Sequence, residues 1–468
     1  MVVLPVELWL HIVDFLSPEA LKELLGVNSF FYNIAMNLRY KRVELQTLNT
    51  KTSKYLTRLS DPHVSKRVVQ LTVSPDFRNY GRVKSPSMLD IVGHAVQYAL
   101  GRTPPKPEAQ ATKTLIDVLP GLTSVHNYTI DCHSWGTHSS PELHTFLGAA
   151  WNAFGHNIRK LSLRGHASAF KTIIDSTSAL PLVTELFLEL IDNPLQFDPM
   201  DPETLLQVIA PFVNGLASQL QVWTLWSWGT IDLSHFFMAL GLFPRLKKFN
   251  LQTSFPKTFR LDPSGLTRFL ASHASDLEHL VLRLNTTPLA FSTTSEQPLS
   301  DWMNKVFSSA AQWRFSNLRE LHMYPTVLPG GFSALTSCIG QSAGTLQGLV
   351  VRDRYLSPEE VILVIDALPP HLKSLRLNIR VLNIEIFDHA AKMLGGLKSL
   401  SLYIGSIAPT FASDIERRLY SSWHLHHIGI WHAGSYLDSH LMCTISRSIP
   451  SVRHFWGNKN DIEDFGLR

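Results

Sequence analysis

The chain repeats a hexapeptide: residues 372–377 read LKSLRL, and residues 397–402 read LKSLSL. Each copy is apolar at its first, fourth and sixth positions. Because the side chains of an extended segment alternate between two faces, the fourth and sixth residues share one face. The pattern therefore predicts a short strand with one buried face, and its recurrence predicts that such strands stack side by side.

Apolar spacing of this kind recurs thirteen times between Val68 and Phe455. The units begin at Val68, Leu122, Ile158, Val183, Leu220, Leu246, Leu277, Leu318, Leu346, Leu372, Leu397, Leu425 and Val452. The last units are 25 to 28 residues apart, and segments with helical apolar spacing fill the intervals. Wider gaps earlier in the chain predict loop insertions near residues 75–115 and 285–300. Each unit is interpreted as a strand followed by a helix, with a generic α/β domain as the alternative.

The repeat resembles the leucine-rich repeat. That resemblance implies an α/β repeat solenoid shaped as a horseshoe, with parallel strands on its concave face, over residues 67–468. One departure concerns the ninth position, where the family usually has Asn or Cys and this chain has Asn only at Asn285 and Asn460. The repeat is therefore interpreted as a degenerate one. Helix starts are better marked, as by the capping-box pattern Ser357-Pro358-Glu359-Glu360.

The first forty-odd residues carry a different, all-helical pattern. An apolar stripe at helical spacing runs from Leu4 to Leu16, the segment Ser17-Pro18-Glu19 starts a second helix, and a third follows Val27. Three helices of this length bury little core on their own. Such a module is expected to rest on a partner or on the next domain.

This module resembles an F-box over residues 1–48. The resemblance is carried by Leu4-Pro5-x-Glu7-Leu8, then Ile12, Phe15-Leu16, Leu21, and Val27 followed by an aromatic residue at Phe31. It implies a small all-α three-helix fold that docks on the Skp-type adaptor of a cullin-RING ubiquitin ligase, with residues 49–66 as a linker helix or first cap. The implied adaptor contacts are Leu4, Pro5, Ile12, Leu16, Leu21 and Val27. The alternative is that these residues only pack the module and cap the first repeat.

Composition narrows the remaining classes of function. Of 468 residues, 45% are hydrophobic and 17% are charged, and the net charge is only +4, without the Lys and Arg clusters of a nucleic-acid binder. Three cysteines in distant units indicate a reducing compartment rather than a disulfide scaffold. Without a basic leader or a membrane-length apolar run, the protein is expected to be soluble and cytoplasmic or nuclear, with no nucleic-acid or membrane partner.

A partner-binding face is predicted opposite the buried positions, at the third, fifth and seventh residue of each strand. Its aromatic and basic members are the candidate substrate contacts: Trp226, Lys248, Arg283, Tyr324, Arg352, Arg376, Tyr403 and Trp431. Trp, Tyr and Arg are enriched at interface hot spots, and guanidinium groups pair with carboxylate or phosphate. These residues would suit an acidic or phosphorylated segment. The alternative is that they are ordinary solvated strand residues.

No catalytic or metal motif is found. The run His424, His426, His427 and His432 has histidines on opposite faces of a strand and no further ligand at the right spacing. We therefore expect no enzyme activity, no metal and no cofactor. The expected function is the substrate-recognition subunit of an SCF-type ligase that captures an unidentified protein. The alternatives are a repeat scaffold that binds a partner without ubiquitination, and a small-molecule co-receptor of the plant-hormone-receptor type with a polyanion pocket among Lys248, Arg283, Arg352 and Arg376.

Overall fold

The structure is a computed structural model that describes residues 5–45, 50–74, 107–132, 141–177, 180–191, 201–227, 231–253, 262, 264–284, 303, 307, 313–324, 330–432 and 437–456. The chain divides into two compact units, Met1–Leu220 and Gln221–Arg468.

The first unit opens with three short helices. They are α1 (Val6–Asp14), α2 (Pro18–Glu23) and α3 (Ser29–Tyr40), with a 3-10 turn at Leu24–Gly26. Side chains set two of the starts, because Ser17 accepts a hydrogen bond from the amide of Ala20, and Asn28 accepts one from the amide of Phe31. The three helices predicted from the sequence are therefore present.

A parallel sheet follows in the same unit. Its strands are β1 (Arg42–Leu45), β2 (Gln70–Val73), β3 (Asn127–Cys132), β4 (Lys160–Gly165) and β5 (Glu185–Leu190). The helices of this part are α4 (Thr50–Leu59), α5 (Pro62–Ser65), α6 (Pro107–Val118), α7 (Pro141–Phe154), α8 (Ala167–Asp175), α9 (Asp201–Thr204) and α10 (Ala210–Gly215), with a π turn at Leu205–Ile209 before the last. Each strand pairs in parallel with the next along the chain.

The second unit repeats the arrangement at greater length. Its strands are β6 (Val222–Ser227), β7 (Lys248–Thr253), β8 (His279–Leu284), β9 (Glu320–Tyr324), β10 (Gly348–Leu356), β11 (Ser374–Leu382), β12 (Ser399–Ile407), β13 (His427–His432) and β14 (His454–Trp456). Its described helices are α11 (Ser234–Ala239), α12 (Ser264–His273), α13 (Gly331–Ser342), α14 (Pro358–Ala367), α15 (Ile384–Met393), α16 (Phe411–Glu416) and α17 (Ser439–Ser448).

Strand order follows chain order within each unit. A doubly wound α/β sheet would instead reverse direction at a switch point. The predicted α/β repeat with parallel strands is therefore confirmed. The capping box before α14 is confirmed as well, since Ser357 and Glu360 exchange hydrogen bonds with each other's backbone amides.

The core lies where the hexapeptide pattern predicts it. Leu375, Leu377, Leu400 and Leu402 are buried, and register pairs Leu375 with Leu400 and Leu377 with Leu402 on neighbouring strands. Stacking equivalent positions in this way gives each strand a continuous apolar neighbour.

Trp223 centres the largest aromatic group of the core. It is buried and lies within 5.3–6.3 Å, centroid to centroid, of five phenylalanines: Phe236, Phe237, Phe243, Phe249 and Phe269. Two of them come from the short helix α11, so aromatic contacts join this helix to β6.

Two positions of the repeat differ from the sequence prediction. The strand of the second predicted unit buries Tyr128 and Ile130, so that unit begins at Val125 and not at Leu122. Leu122 and Val125 are both buried and lie three residues apart. The apolar spacing alone therefore fits a unit that begins at either residue. The structure also adds β1, which pairs with β2 and lies inside the range 1–48 assigned to the helical module.

Candidate functional site

The helical module carries large apolar side chains on its surface. Phe15 is 88% exposed and Val27 is 60% exposed, and Leu8 and Ile12 are also exposed. Three aromatic side chains pack together inside the module. The ring centroid of Trp9 lies 5.9 Å from that of Phe30 and 5.2 Å from that of Phe31. The module thus has a small interior of its own and a separate apolar exterior.

The predicted adaptor contacts divide between that exterior and interior. Pro5, Ile12 and Val27 are exposed, and Leu16 is half-buried. Leu21 is only 3% exposed, so its side chain packs the module and cannot reach another protein without repacking. Leu4 lies outside the described residues.

Alternation along the strands of the second unit produces a polar face opposite the core. We define this polar face as the third, fifth and seventh positions of β6 to β13. Six of the eight predicted substrate contacts occupy the seventh position of their strands: Trp226, Arg283, Tyr324, Arg352, Tyr403 and Trp431. Arg376 occupies a fifth position and Lys248 a third. Strand register therefore places most of these residues in one row.

Within the row, Tyr403 contacts both Arg352 and Trp431. The guanidinium carbon of Arg352 lies 3.8 Å from the centroid of the Tyr403 ring, and that ring stacks on Trp431 at 4.8 Å with 18° between the planes. Asn378, on the strand between Arg352 and Tyr403, donates a side-chain hydrogen bond to the carbonyl of Arg352 at 2.9 Å. Arg352 therefore reaches across one strand to cover a tyrosine on the next.

A second arginine–tyrosine pair lies in the same row. The guanidinium carbon of Arg283 lies 5.0 Å from the centroid of Tyr324, its neighbour on the adjacent strand. Tyr324 is 7% exposed and Trp431 is 5% exposed. Both rings were expected to face a partner, but neighbours on the same face cover them, so they act as supports beneath the arginines.

Burial and neighbouring cations set the electrostatics of the face. Burial, followed by the charges of Arg283 and Arg376, lowers the pKa of His322 to about 4. Burial also lowers the pKa of Arg376, which lies near Tyr403, Arg352 and Tyr324. Burial raises the pKa of Glu320, and Lys248 partly opposes that rise. The central strands thus hold several cations close together, with His322 neutral at physiological pH.

The predicted contacts are not all in one group. Arg283, Tyr324, Arg352, Arg376, Tyr403 and Trp431 form one connected strip, which we call the arginine strip. Trp226 lies two strands from Arg283, and Lys248 lies at the opposite end of its strand. These two residues flank the strip rather than belonging to it.

Two residues outside the predicted contacts shape the strip. His322 faces its cations, and Gly429 makes room for Trp431, because a Cβ built on Gly429 would overlap the indole ring. A glycine in the interior of a predicted strand is itself a signal of close approach by another group. His322 gives no comparable signal in the sequence.

The histidine-rich end of the sheet contains a stack of aromatic rings. The rings of His427 and His454 lie 4.9 Å apart at 7°, and Trp456 stacks on His427 at 5.4 Å. Throughout the described ranges, no group of three or more His, Cys, Asp or Glu side chains has an arrangement that could hold a metal ion. The helices in those ranges also lack the length and apolar character needed to cross a bilayer.

Similarity of this chain to known proteins is found among solved structures. No protein-family model matches it, and no curated protein matches it. Among solved structures, it is similar to a protein from Bacteroides fragilis at 14% identity and a TM-score of 0.31, covering 67% of this chain and 71% of that one. It is also similar to the leucine-rich repeat-containing protein LegL7 from Legionella pneumophila, at 12% identity and a TM-score of 0.34, covering 89% and 91%.

A third similar structure is that of TLR13 in complex with ssRNA13. The identity is 15% and the TM-score 0.33, and the match covers 72% of this chain and 43% of that one.

Proposed function

We propose that this chain is a non-catalytic substrate receptor of an SCF-type ubiquitin ligase. The helical module, residues 1–48, docks on a Skp-type adaptor, and the polar face of the second unit captures the protein to be modified. The observation that carries the proposal is the apolar exterior of the module, together with its F-box-like sequence.

Exposed apolar surface on so small a module favours a protein partner. Full burial of a Val or Phe side chain stabilises a protein by about 1.5–3 kcal/mol. Phe15 and Val27 are largely exposed, so the free chain lacks most of this stabilisation. Covering them together with Ile12 and Pro5 on another protein would recover it. Exposed large apolar side chains, when they form a patch, are typical of association sites.

Two of the three cysteines, Cys132 and Cys338, are buried, and Cys443 is exposed. Burial raises the pKa of Cys338 to about 12 and raises the pKa of Cys132. Both therefore remain neutral thiols, whereas a nucleophilic cysteine requires an accessible thiolate. The contribution of such a receptor is positional, because it raises the effective concentration of a substrate lysine near the conjugating enzyme.

Co-purification tests the proposal. Full-length chain, expressed with a Skp-type adaptor and a cullin, should retain both through purification. The double variant Ile12→Glu, Val27→Glu should reduce the amount of adaptor that co-purifies at least tenfold. Its unfolding midpoint should stay close to that of the parent chain.

Leu419→Glu is the matched control, because Leu419 is an exposed leucine in the second unit. That variant should retain the adaptor in full. Adaptor retained by the double variant would contradict docking through this surface. Adaptor retained without cullin would favour the alternative, a repeat scaffold that acts without ubiquitination.

A further inference from the structure

We propose that the arginine strip binds an anionic segment of the protein substrate, with carboxylate or phosphate groups held by Arg283, Arg352 and Arg376. The inference rests on the proposed function for the ligand being a protein substrate. The anion-binding site itself is defined by the charges and contacts of the polar face.

The polar face of the second unit is not neutralised by its own carboxylates. Among its described positions it has the cations Lys248, Arg283, Arg352 and Arg376 and a single carboxylate, Glu320. No ion pair joins Arg283 or Arg352 to a carboxylate among the described residues, and the Nε atoms of both are buried without a hydrogen-bond acceptor.

The corresponding face of the first unit is different. There Lys160 pairs with Glu185 at 3.2 Å, and Arg164 pairs with Glu189 at 3.6 Å. The same repeat geometry thus places opposite charges across neighbouring strands in one unit and leaves cations together in the other. Positive charge that is partly removed from water is costly unless an anion pairs with it.

Aromatic rings hold the cations of the strip in place. Arg352 lies over Tyr403 at 3.8 Å and Arg283 over Tyr324 at 5.0 Å, and Trp431 backs Tyr403 from the other side. A guanidinium group stacked by its face keeps its N–H edge available for two parallel hydrogen bonds to a carboxylate or phosphate. Fixing the side chains before binding also lowers the entropy lost when a ligand arrives.

The potential in the middle of the strip favours an anion. His322 lies among Arg283, Arg376 and Lys248, and burial together with these charges lowers its pKa to about 4. The histidine therefore adds no positive charge of its own at neutral pH, and the positive charges around it are those of Arg283, Arg376 and Lys248. In surroundings of lower polarity than water, each of these charges attracts an anion more strongly.

Shape favours an extended segment over a single small anion. Arg283, Arg352 and Arg376 lie on β8, β10 and β11. The distance from β8 to β11 is three strand spacings, or roughly 14 Å. About four residues of an extended peptide cover that length. The arrangement suits several acidic or phosphorylated residues in sequence.

Nucleic acid fits less well. Single-stranded binding sites offer open aromatic faces for bases. Here the faces of Tyr324 and Tyr403 carry arginines of the same chain, and Trp431 is buried.

Fluorescence anisotropy on the full chain tests the inference. The probes are labelled twelve-residue peptides of one sequence with four alternate positions occupied by phosphoserine, by Glu or by Ser, and inositol hexakisphosphate and a single-stranded RNA serve as competitors. The phosphoserine and Glu peptides should bind at least tenfold more tightly than the Ser peptide, and binding should weaken with salt. The preference between phosphoserine and Glu identifies which anion the substrate carries.

Variants distinguish binding by the arginine strip from attraction to the net positive charge of the chain. Arg352→Ala and Arg376→Ala should each weaken binding of the anionic peptides tenfold or more. Arg245→Ala removes the same charge from an exposed turn and should change binding less than twofold. Arg352→Lys keeps the charge but not the planar fork, and should weaken binding several-fold with the fold intact.

Several results would overturn the inference. Equal binding of all three peptides, an equal loss for Arg245→Ala, or RNA bound more tightly than the phosphoserine peptide would each do so. Inositol hexakisphosphate bound tightly in the absence of any peptide binding would assign the strip to a small polyanion instead. The assay contains no adaptor, so peptide binding can fail while co-purification succeeds, and the reverse.

Discussion

Replacing Gly429 with Ala is expected to destabilise the second unit and weaken the arginine strip without altering any charge. Gly429 lies within β13, where the backbone is extended. A Gly-to-Ala change at such a position ordinarily stabilises a protein by about 0.4–1 kcal/mol, because it restricts the unfolded chain. At this site the added Cβ would overlap the ring of Trp431, so the ring must move.

The size of the effect follows from the contacts that depend on Trp431. Moving the ring breaks the stack on Tyr403, worth about 0.5–1.5 kcal/mol beyond its buried area. It also loosens the Arg352–Tyr403 contact, worth about 0.5–2 kcal/mol depending on exposure. Setting the usual gain against these losses leaves a net destabilisation of about 0–3 kcal/mol, centred near 1.5 kcal/mol.

Urea unfolding and near-ultraviolet circular dichroism measure the outcome. Gly429→Ala should lower the free energy of unfolding and alter the aromatic dichroism, and it should weaken binding of the anionic peptide. Gly395→Ala is the matched control, because a Cβ at Gly395 meets no atom within 4 Å. A Gly429→Ala chain as stable as the parent or more so, with unchanged dichroism, would refute the argument that Trp431 lies against this glycine and supports the strip.

Three further predictions address the core, a helix start and pH. Trp223→Ala should cost about 3–5 kcal/mol in urea unfolding because it empties the centre of an aromatic cluster, and a cost below 1 kcal/mol would contradict that packing. Ser357→Ala should cost about 1 kcal/mol in the same assay, since it removes half of the capping box before α14, and no measurable cost would contradict the cap. Because the pKa of His322 is lowered from 6.5 to about 4, the unfolded chain takes up a proton in this range that the folded chain does not. Stability should therefore fall as pH drops from 6.5 towards 4, and His322→Gln should fall less over that window, which an equal fall in both would contradict.

The buried half of the fold was predictable because apolar spacing reports it directly. In LKSLRL the leucines mark the core face, and Leu375 and Leu377 are buried as expected. The same rule was ambiguous where apolar residues lie three apart twice in succession, as at Leu122, Val125 and Tyr128. β1 was not predicted because its range had been assigned to the helical module.

The binding face was predictable only in part. Alternation placed Arg352, Tyr403 and Trp431 on one face, but it could not show that Arg352 crosses a strand to reach Tyr403 or that Trp431 becomes buried. Those features depend on side-chain conformations and on the space above Gly429. In the helical module, periodicity identified an apolar stripe but not which of its members point inward, so Leu21 and Val27 were treated alike although only the second is exposed.

Hydrogen–deuterium exchange of the full-length chain, with and without a saturating Skp-type adaptor, tests the central claim most directly. The account predicts that the adaptor slows exchange in residues 5–27, which form α1, α2 and the turn after them, and leaves the strands of the second unit unchanged. Unaltered exchange in residues 5–27, or slowing confined to residues 221–456, would contradict it.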